Sequence, residues 1–192
     1  MILMPLGIPK TPTETLEEEH HYIQKVVGVM AVIAEKLEKG EDTDAETLQK
    51  IVEFMRTFAD KCHHAKEETH LFSLLEKRGI PVRGCPIGVL TVEHQRGRAL
   101  VTSLASATDE YAKNIALTKK NLIETLRALT GLYPGHIWKE DYLLFPMTNK
   151  VLSAEDQKDL GEKFEMVEKT IGQDVHKRFI QLSEKLERDT QK

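Results

Sequence analysis

Histidine and glutamate recur in this sequence at spacings that suit a metal site built on helices. One segment begins at His63 and recurs 73 residues later, where it begins at His136. In both copies a glutamate, Glu67 or Glu140, follows the histidine by four residues. Residues four apart project from the same face of a helix, so each histidine and its glutamate can act on one cation.

A second repeat adds two more histidines. The dipeptide Glu19-His20 recurs 74 residues later as Glu93-His94. At about 1.5 Å per residue, and with a short turn between helices, the chain from His20 to His63 has an outward and a return leg of equal length. The same count holds for the second pair, so all four histidines can lie in one layer of an antiparallel bundle.

Such a layer needs a cation. Four imidazoles and two carboxylates would be very unfavourable as free polar groups in an apolar core. A mixed imidazole and carboxylate set suits iron, manganese or zinc, and it is too rich in nitrogen for magnesium or calcium. Six ligands exceed the needs of four-coordinate zinc, and two glutamates can bridge two ions. A non-haem centre of two Fe therefore fits best, with Zn or Mn as substitutes. The predicted ligands are His20, His63, Glu67, His94, His136 and Glu140.

Apolar residues recur every three or four positions along almost the whole sequence, which predicts an all-α protein. A glycine- and proline-rich stretch, 79–86, separates two helical hairpins of like design. We predict an up-down four-helix bundle over 10–150 and one additional C-terminal amphipathic helix over 151–192 that packs on the bundle. The predicted helices cover about 13–40, 44–78, 87–109, 117–150 and 153–187.

Composition and charge exclude several other classes of protein. The sequence has 192 residues, a formal net charge of -4 and two cysteines. This charge is unlike the clustered lysine and arginine of nucleic-acid or anionic-membrane surfaces, and two cysteines are too few for a secreted disulfide scaffold. Met1–Ile8 lacks the basic region of a signal peptide, and the longest apolar run, Val26–Ala34, is too short to span a membrane. We therefore expect a cytoplasmic protein with no nucleic-acid or membrane partner.

The two histidine segments and the two Glu-His dipeptides resemble the hemerythrin-like, HHE cation-binding domain family over about residues 10–150. The resemblance implies a hemerythrin-like four-helix bundle with a non-haem, oxygen-bridged di-iron site held by the six predicted ligands. Oxygen-carrying hemerythrins use a fifth histidine on the third helix, where this sequence has Leu90. One iron is therefore expected to lack a ligand, which water, substrate, Glu68, His64 or a tyrosine would supply.

The identity of the two carboxylate ligands stays open at this point. Asp141 lies five residues after His136, which is the spacing of the fourth-helix carboxylate in oxygen-carrying hemerythrins, whereas the internal repeat favours Glu140. We expect Glu140 to be the ligand. Glu68 is in the same way an alternative to Glu67.

Other polar residues near the predicted ligands are expected to play lesser parts. His21 and His64 each follow a predicted ligand by one residue, point about 100° away from it, and are expected on the surface or beside the site. The run 17–19, which includes Glu19, is expected mainly in solvent at the start of a helix, with the alternative that Glu19 and Glu93 orient metal-bound imidazoles. The remaining expectations are His70 at the pocket edge or in solvent, His176 in a structural role, Cys62 buried and inert, and Trp138 and Tyr142 as pocket walls, with redox activity as the alternative for these two.

These features lead to one hypothesis and one alternative. The hypothesis is a cytoplasmic di-iron protein that binds or reacts with O2, peroxide or NO at an open iron position, in sensing, detoxification or iron and oxygen handling. If it is an enzyme, it is an oxidoreductase with an external electron donor, because the sequence shows no second redox domain. The alternative is a metal-stabilised helical interaction module, with Zn or Fe in a structural role. The last helix has enough apolar surface to cap the bundle or to pair two chains as a homodimer.

Overall fold

Four long helices and two shorter ones account for most of the residues that the structure describes. The computed structural model describes residues 10–190, without the side chains of 115–117 and 173. Met1–Ile8, which we predict not to be a signal peptide, lies outside the described residues. The first four helices are α1 (Pro12–Glu38), α2 (Ala45–Phe54, continuing through Met55–His64 and Lys66–Leu71 to Phe72–Lys77), α3 (Ile87–Lys113) and α4 (Ile115–Lys139, continuing through Glu140–Leu144 to Phe145–Val151).

Contacts between helix ends show that α1 to α4 form an antiparallel bundle. Thr13 at the start of α1 donates a hydrogen bond to Asn149 at the end of α4 over 3.1 Å. The backbone N–H of Thr43, just before α2, donates to the hydroxyl of Tyr111 near the end of α3, also over 3.1 Å. The predicted all-α bundle is confirmed, and no strand occurs in residues 10–190.

Side-chain caps set where several helices begin. The hydroxyl of Thr11 accepts from the backbone N–H of Glu14, whose carboxylate accepts in return from the backbone N–H of Thr11, forming a capping box before α1. Asp44 accepts from the first backbone N–H groups of α2. These caps occupy donors that would otherwise be unsatisfied, so the helical register of each hairpin starts at a defined residue.

One polar layer crosses the bundle between two apolar clusters. Along α1, His20 lies between Leu16, which belongs to the smaller cluster, and Ile23, which belongs to the larger one. The other three bundle helices follow the same order, with apolar residues of one cluster on each side of a buried histidine. The layer is therefore shielded from water at both ends of the bundle.

Helices α2 and α4 widen into π-helix where they pass this layer. The π-helical stretches are Met55–His64 and Lys66–Leu71 in α2, and Glu140–Leu144 in α4. A π-helical turn holds more residues than an α-helical turn, so successive side chains are separated by a smaller angle. Residues that are neighbours in the sequence can then face the same side of the helix.

The C-terminal segment differs from the prediction of a single helix. It forms two helices, α5 (Ala154–Ile171) and α6 (Gln173–Thr190), joined at Gly172. Gly172 has a φ of 107°, a conformation that residues with a Cβ rarely adopt, so the chain turns there instead of continuing as one helix. The apolar stripe continues on both sides of the break, which is why periodicity alone did not reveal it. Within the described part of the chain, no helix is both long and apolar enough to cross a membrane.

Candidate metal centre

The six predicted ligands come together in the polar layer, where they form part of two adjacent clusters. His20 on α1, His63 and Glu67 on α2 and Glu140 on α4 can each offer one ligand atom, and these atoms all lie within 4.8 Å of one another. All four side chains are buried. We call this group cluster A.

The second group contains three imidazoles, and we call it cluster B. His64 on α2, His94 on α3 and His136 on α4 also place one ligand atom each within 4.8 Å of the others. The Nε2 atoms of His94 and His136 are 3.1 Å apart, so both point at the same small volume. Two of these residues belong to the predicted set, and His64 does not.

Glu67 and Glu140 lie between the two clusters. Oε2 of Glu140 is 3.1 Å from Nε2 of His20 in cluster A, while its Oε1 lies 3.3 and 3.4 Å from two imidazole nitrogens of cluster B. Oε2 of Glu67 is 3.5 Å from Nε2 of His63 and equally far from an imidazole of cluster B. Each carboxylate therefore reaches both groups of imidazoles, as a bridging ligand must.

The atoms that face one another in this layer have no other partners. All four carboxylate oxygens of Glu67 and Glu140, together with Nε2 of His20, are buried and make no hydrogen bond. Burying carboxylates without partners is strongly unfavourable, and bound cations would compensate them. The residues therefore fit metal ions, and their nitrogen-rich donor set suits iron, manganese or zinc.

Asp141 and Glu68, the alternative carboxylate ligands, lie on the outer side of the imidazoles. Nδ1 of His20 donates to Asp141 over 2.6 Å, and Nδ1 of His94 donates to Glu68 over 2.6 Å. Donation from Nδ1 leaves the Nε2 lone pair free to face the centre of the layer. The geometry thus favours Glu140 and Glu67 as ligands and gives their neighbours the task of orienting imidazoles.

Glu19 and Glu93 hold the other two imidazoles in the same way. Nδ1 of His63 donates to Glu19 over 3.0 Å, and Nδ1 of His136 donates to Glu93 over 3.1 Å. Glu19 is only 2% exposed, so the expectation that it lies mainly in solvent is wrong. The internal repeat therefore extends beyond the ligands to the carboxylates that orient them.

The surface position considered for His64 is also wrong, because its side chain is 3% exposed and belongs to cluster B. In a regular α-helix His64 would point about 100° away from His63, but it lies in a π-helical stretch that brings it to the same side as His63. His21, which follows His20 on regular α1, is exposed as expected. The signal that pointed to His64 was the fifth histidine missing at Leu90.

Charges in the layer shift the pKa values of its groups in different directions. Burial lowers the pKa of His20, but the hydrogen bond to Asp141 and the negative charge of the nearby Glu140 outweigh it and raise the pKa to about 10. Burial lowers the pKa of His63 to about 4, so this imidazole is neutral, as a metal ligand must be. Burial raises the pKa of Glu67 well above its usual value, and the neighbouring Glu140 adds to this effect. Ionising both carboxylates at once therefore needs added positive charge.

Apolar side chains close the layer on one side. The ring of Phe145 stacks on His20 at 5.5 Å between centroids, and the ring of Phe72 stacks on His94 at 5.9 Å. Leu90 is fully buried in the same apolar cluster. The position of the missing fifth histidine thus helps to exclude water from the layer.

The other predicted residues lie at the edge of the site or outside it. Cys62 is buried, and burial raises the pKa of its thiol to about 12, in keeping with the inert role expected. Trp138 and Tyr142 are exposed and stack on each other at 5.8 Å. Together with Asp141 they line a surface groove of about 470 Å³ between α1 and α4. Neither cluster includes the partly buried His70.

Comparison with known proteins identifies the family. The model of the Hemerythrin HHE cation binding domain matches residues 11–148. The chain belongs to this family. The match includes every member of clusters A and B, whereas α5 and α6 lie beyond it. The HHE domain binds metal cations, typically iron, in agreement with the donor set of the polar layer.

Relatives of similar sequence include mycobacterial proteins. The chain is 27% identical over 172 residues to an uncharacterized protein of Mycobacterium bovis and to uncharacterized proteins from two strains of Mycobacterium tuberculosis. The matched region covers 90% of this chain and 64% of each relative, so the chain spans just under two thirds of their length. No solved structure matches the chain.

Proposed function

We propose that this protein holds a non-haem di-iron centre that binds or reacts with O2, peroxide or NO. The observation that carries the proposal is the set of four buried carboxylate oxygens without hydrogen bonds, which lie between five buried imidazoles. Such a set is compatible with two bridged cations, and imidazole together with carboxylate favours iron among the metals that proteins bind in this way.

The two clusters suggest how the ligands divide between the ions. His20 and His63 would hold one iron, the three imidazoles of cluster B would hold the other, and Glu67 and Glu140 would be shared. Bound iron would supply one-electron redox chemistry, which none of these side chains provides alone. The task of the protein is to fix the imidazoles, share the carboxylates and keep the layer dry.

The number of imidazole donors supports an open coordination position on the iron that cluster A would hold. With both glutamates shared, cluster A offers two imidazoles and cluster B offers three. The surface groove lined by Trp138, Tyr142 and Asp141 lies on this side, because Asp141 accepts the hydrogen bond from His20. The buried surroundings favour a ligand of a few atoms over a larger substrate. In a reductive reaction the electrons would come from an external donor.

Anaerobic loading followed by oxidation tests this function. Protein loaded with ferrous iron without oxygen is exposed to O2, and absorption in the near-UV is recorded. We expect a ferric charge-transfer band to appear with O2. Purified protein that holds tight, redox-silent zinc and takes up no iron would contradict the proposal and favour a structural metal instead.

The same iron-loaded protein can be used to distinguish a binding protein from an enzyme. Hydrogen peroxide or NO is added in many equivalents per chain together with an external electron donor, which a reductive turnover needs, and its loss is followed together with the spectrum. Loss of many equivalents per chain identifies an oxidoreductase, whereas a spectral change that saturates at about one equivalent identifies a binding or sensing protein.

A further inference from the structure

Glu19 connects the polar layer to the C-terminal helices α5 and α6, which lie outside the family domain. Its Oε2 accepts from Nδ1 of His63 over 3.0 Å, and its Oε1 accepts from Nζ of Lys66 over 2.5 Å. The same Oε1 accepts from Nε2 of His176 on α6 over 3.1 Å. One buried carboxylate thus joins a predicted metal ligand to a side chain beyond residue 148.

Lys66 makes a second connection to the C-terminal helices. Its side chain is fully buried, and its Nζ donates to Glu168 on α5 over 2.6 Å as well as to Glu19. A buried ammonium group is stable only when carboxylates surround it, so Lys66 depends on both partners. Glu168 from α5 and His176 from α6 therefore hold the two ends of one hydrogen-bonded group.

The internal repeat supplies a natural comparison. In the second hairpin Glu93 accepts from Nδ1 of His136 over 3.1 Å and from Nζ of Lys139 over 2.8 Å. These three residues repeat the arrangement of Glu19, His63 and Lys66 in the first hairpin. Here the side chains of Glu93 and Lys139 are 20% and 26% exposed. Their counterparts Glu19 and Lys66 are almost completely buried. Among the described residues, the C-terminal helices contribute partners to the first copy and not to the second.

This group is better suited to hydrogen bonding than to a third metal ion. Glu19, Cys62 and His176 do place one potential ligand atom each within 4.8 Å of the others. The ammonium of Lys66, however, already lies against Glu19 and would repel a cation. The thiol of Cys62 is buried and lies 4.0 Å from the carboxylate of Glu19, and both disfavour a thiolate there, so it is a poor source of a thiolate ligand.

We propose that His176 and Glu168 are positioning residues of the metal centre, which act through Glu19 to hold the imidazole of His63. The inference rests on the proposed function, because it takes His63 to be a metal ligand. Carboxylates that orient metal-bound histidines commonly change metal affinity about 10–100-fold when they are altered. Since His176 and Glu168 act through Glu19 or Lys66, their effect lies at the lower end of that range.

Selective loosening of one ion distinguishes positioning from general support of the fold. His63 belongs to cluster A, so the loss of its support weakens the hold on one iron and leaves the iron of cluster B unchanged. A change that merely loosens the packing of α5 and α6 releases both irons faster. The rate at which each of the two iron equivalents is released is therefore the decisive quantity.

The experiment compares four variants with the wild-type protein. Each is loaded with ferrous iron without oxygen and mixed with a coloured ferrous chelator, and release of the two equivalents is followed by absorbance. His176→Phe keeps an aromatic ring beside Phe58, which His176 contacts at 5.2 Å between centroids, but removes the donor. His176→Gln restores a donor. Glu168→Leu removes the carboxylate that accepts from Lys66. Because position 168 is partly exposed, this variant gives a second test if His176→Phe does not fold.

Arg178→Gln is the matched control on the same helix. Arg178 donates to Glu53 on α2 over 2.8 Å, so its loss weakens the attachment of α6 at the surface without touching Glu19. We expect Arg178→Gln and His176→Gln to release iron at the wild-type rates.

The expected result is that His176→Phe and Glu168→Leu release one of the two iron equivalents about tenfold faster and the other at the wild-type rate. Wild-type release of both equivalents in these two variants would overturn the inference, and so would equal acceleration of both. A wild-type protein that takes up no iron would instead overturn the proposed function, and the inference with it.

Discussion

Glu140 and Asp141 are neighbours in the sequence, and their surroundings separate two roles that spacing left open. Glu140 is fully buried with both oxygens unpartnered, whereas Asp141 is partly exposed and accepts from His20. The same division holds for Glu67 and Glu68 in the first hairpin. Repetition of one arrangement in both hairpins supports a common chemical role for each position.

This difference predicts opposite effects on metal content. Glu140→Ala removes a shared ligand and is expected to lose iron, while Asp141→Ala removes only the acceptor for His20 and is expected to retain two irons with an affinity about 10–100-fold weaker. Iron per chain is measured after loading and desalting. Retention of two irons in Glu140→Ala together with loss in Asp141→Ala would reverse the assignment.

A substitution of His64 tests whether this residue of cluster B binds iron. His64→Leu fills a similar volume but removes one of the three imidazoles of cluster B, so we expect loss of one of the two irons. His21→Leu is the control, because His21 also follows a predicted ligand by one residue but is exposed. An iron content that is unchanged in His64→Leu would show that the imidazole is buried beside the ions without binding them.

At the scale of helices, the apolar pattern and the repeat predicted the layer correctly but not its details. Outward and return stretches of about equal length bring His20 and His63 to nearly one level, so this part depended on counting residues. The π-helical stretches could not be predicted, because widening a turn does not change which residues are apolar. For the same reason the break at Gly172 was missed, although glycine itself is the residue that permits the turn.

The interactions at the start of α5 are expected to make the stability of the fold depend on pH. Asp156 completes a capping box with Ser153 and accepts two hydrogen bonds from Arg78 at the end of α2. These interactions lower the pKa of Asp156 to about 2, with the Arg78 hydrogen bond as the largest cause. In an unfolded chain the pKa of aspartate is about 3.9. The stabilisation from this group is therefore fully present above about pH 4 and is lost as the pH falls towards 2.

Thermal unfolding of metal-free protein checks this prediction. At pH 7 we expect Asp156→Asn to unfold at a lower temperature than the wild type, with the difference shrinking between pH 4 and pH 2. Asp159→Asn is the control on the same helix, because the ion pair of Asp159 with Lys163 is exposed to solvent. A difference between Asp156→Asn and the wild type that stays constant down to pH 2 would contradict the assigned interaction.

For the molecule as a whole, the polar layer makes stability depend on metal. Metal-free protein keeps two facing carboxylates in a dry core, and cations that bind only the folded state stabilise it by mass action. We expect iron well above its dissociation constant to raise the unfolding temperature by on the order of 10 °C. Removal of the iron with a chelator should reverse this shift.

Glu67→Gln distinguishes the cost of burying the carboxylates in metal-free protein from the stabilisation that bound iron provides. It removes a buried carboxyl group that resists ionisation, so the metal-free variant is expected to be as stable as the metal-free wild type or more stable. At the same time iron should no longer raise its unfolding temperature. Glu165→Gln on the exposed face of α5 is the control and should respond to iron as the wild type does. A Glu67→Gln variant that is still stabilised by iron would argue against a shared carboxylate.

We propose that seven buried side chains hold two irons in this bundle. Metal analysis of protein purified after expression with added iron, combined with its optical spectrum, tests this proposal most directly. We predict two irons per chain and ferric absorption in the near-UV. Zinc as the only bound metal, or protein that purifies with no metal and takes none up, would contradict it.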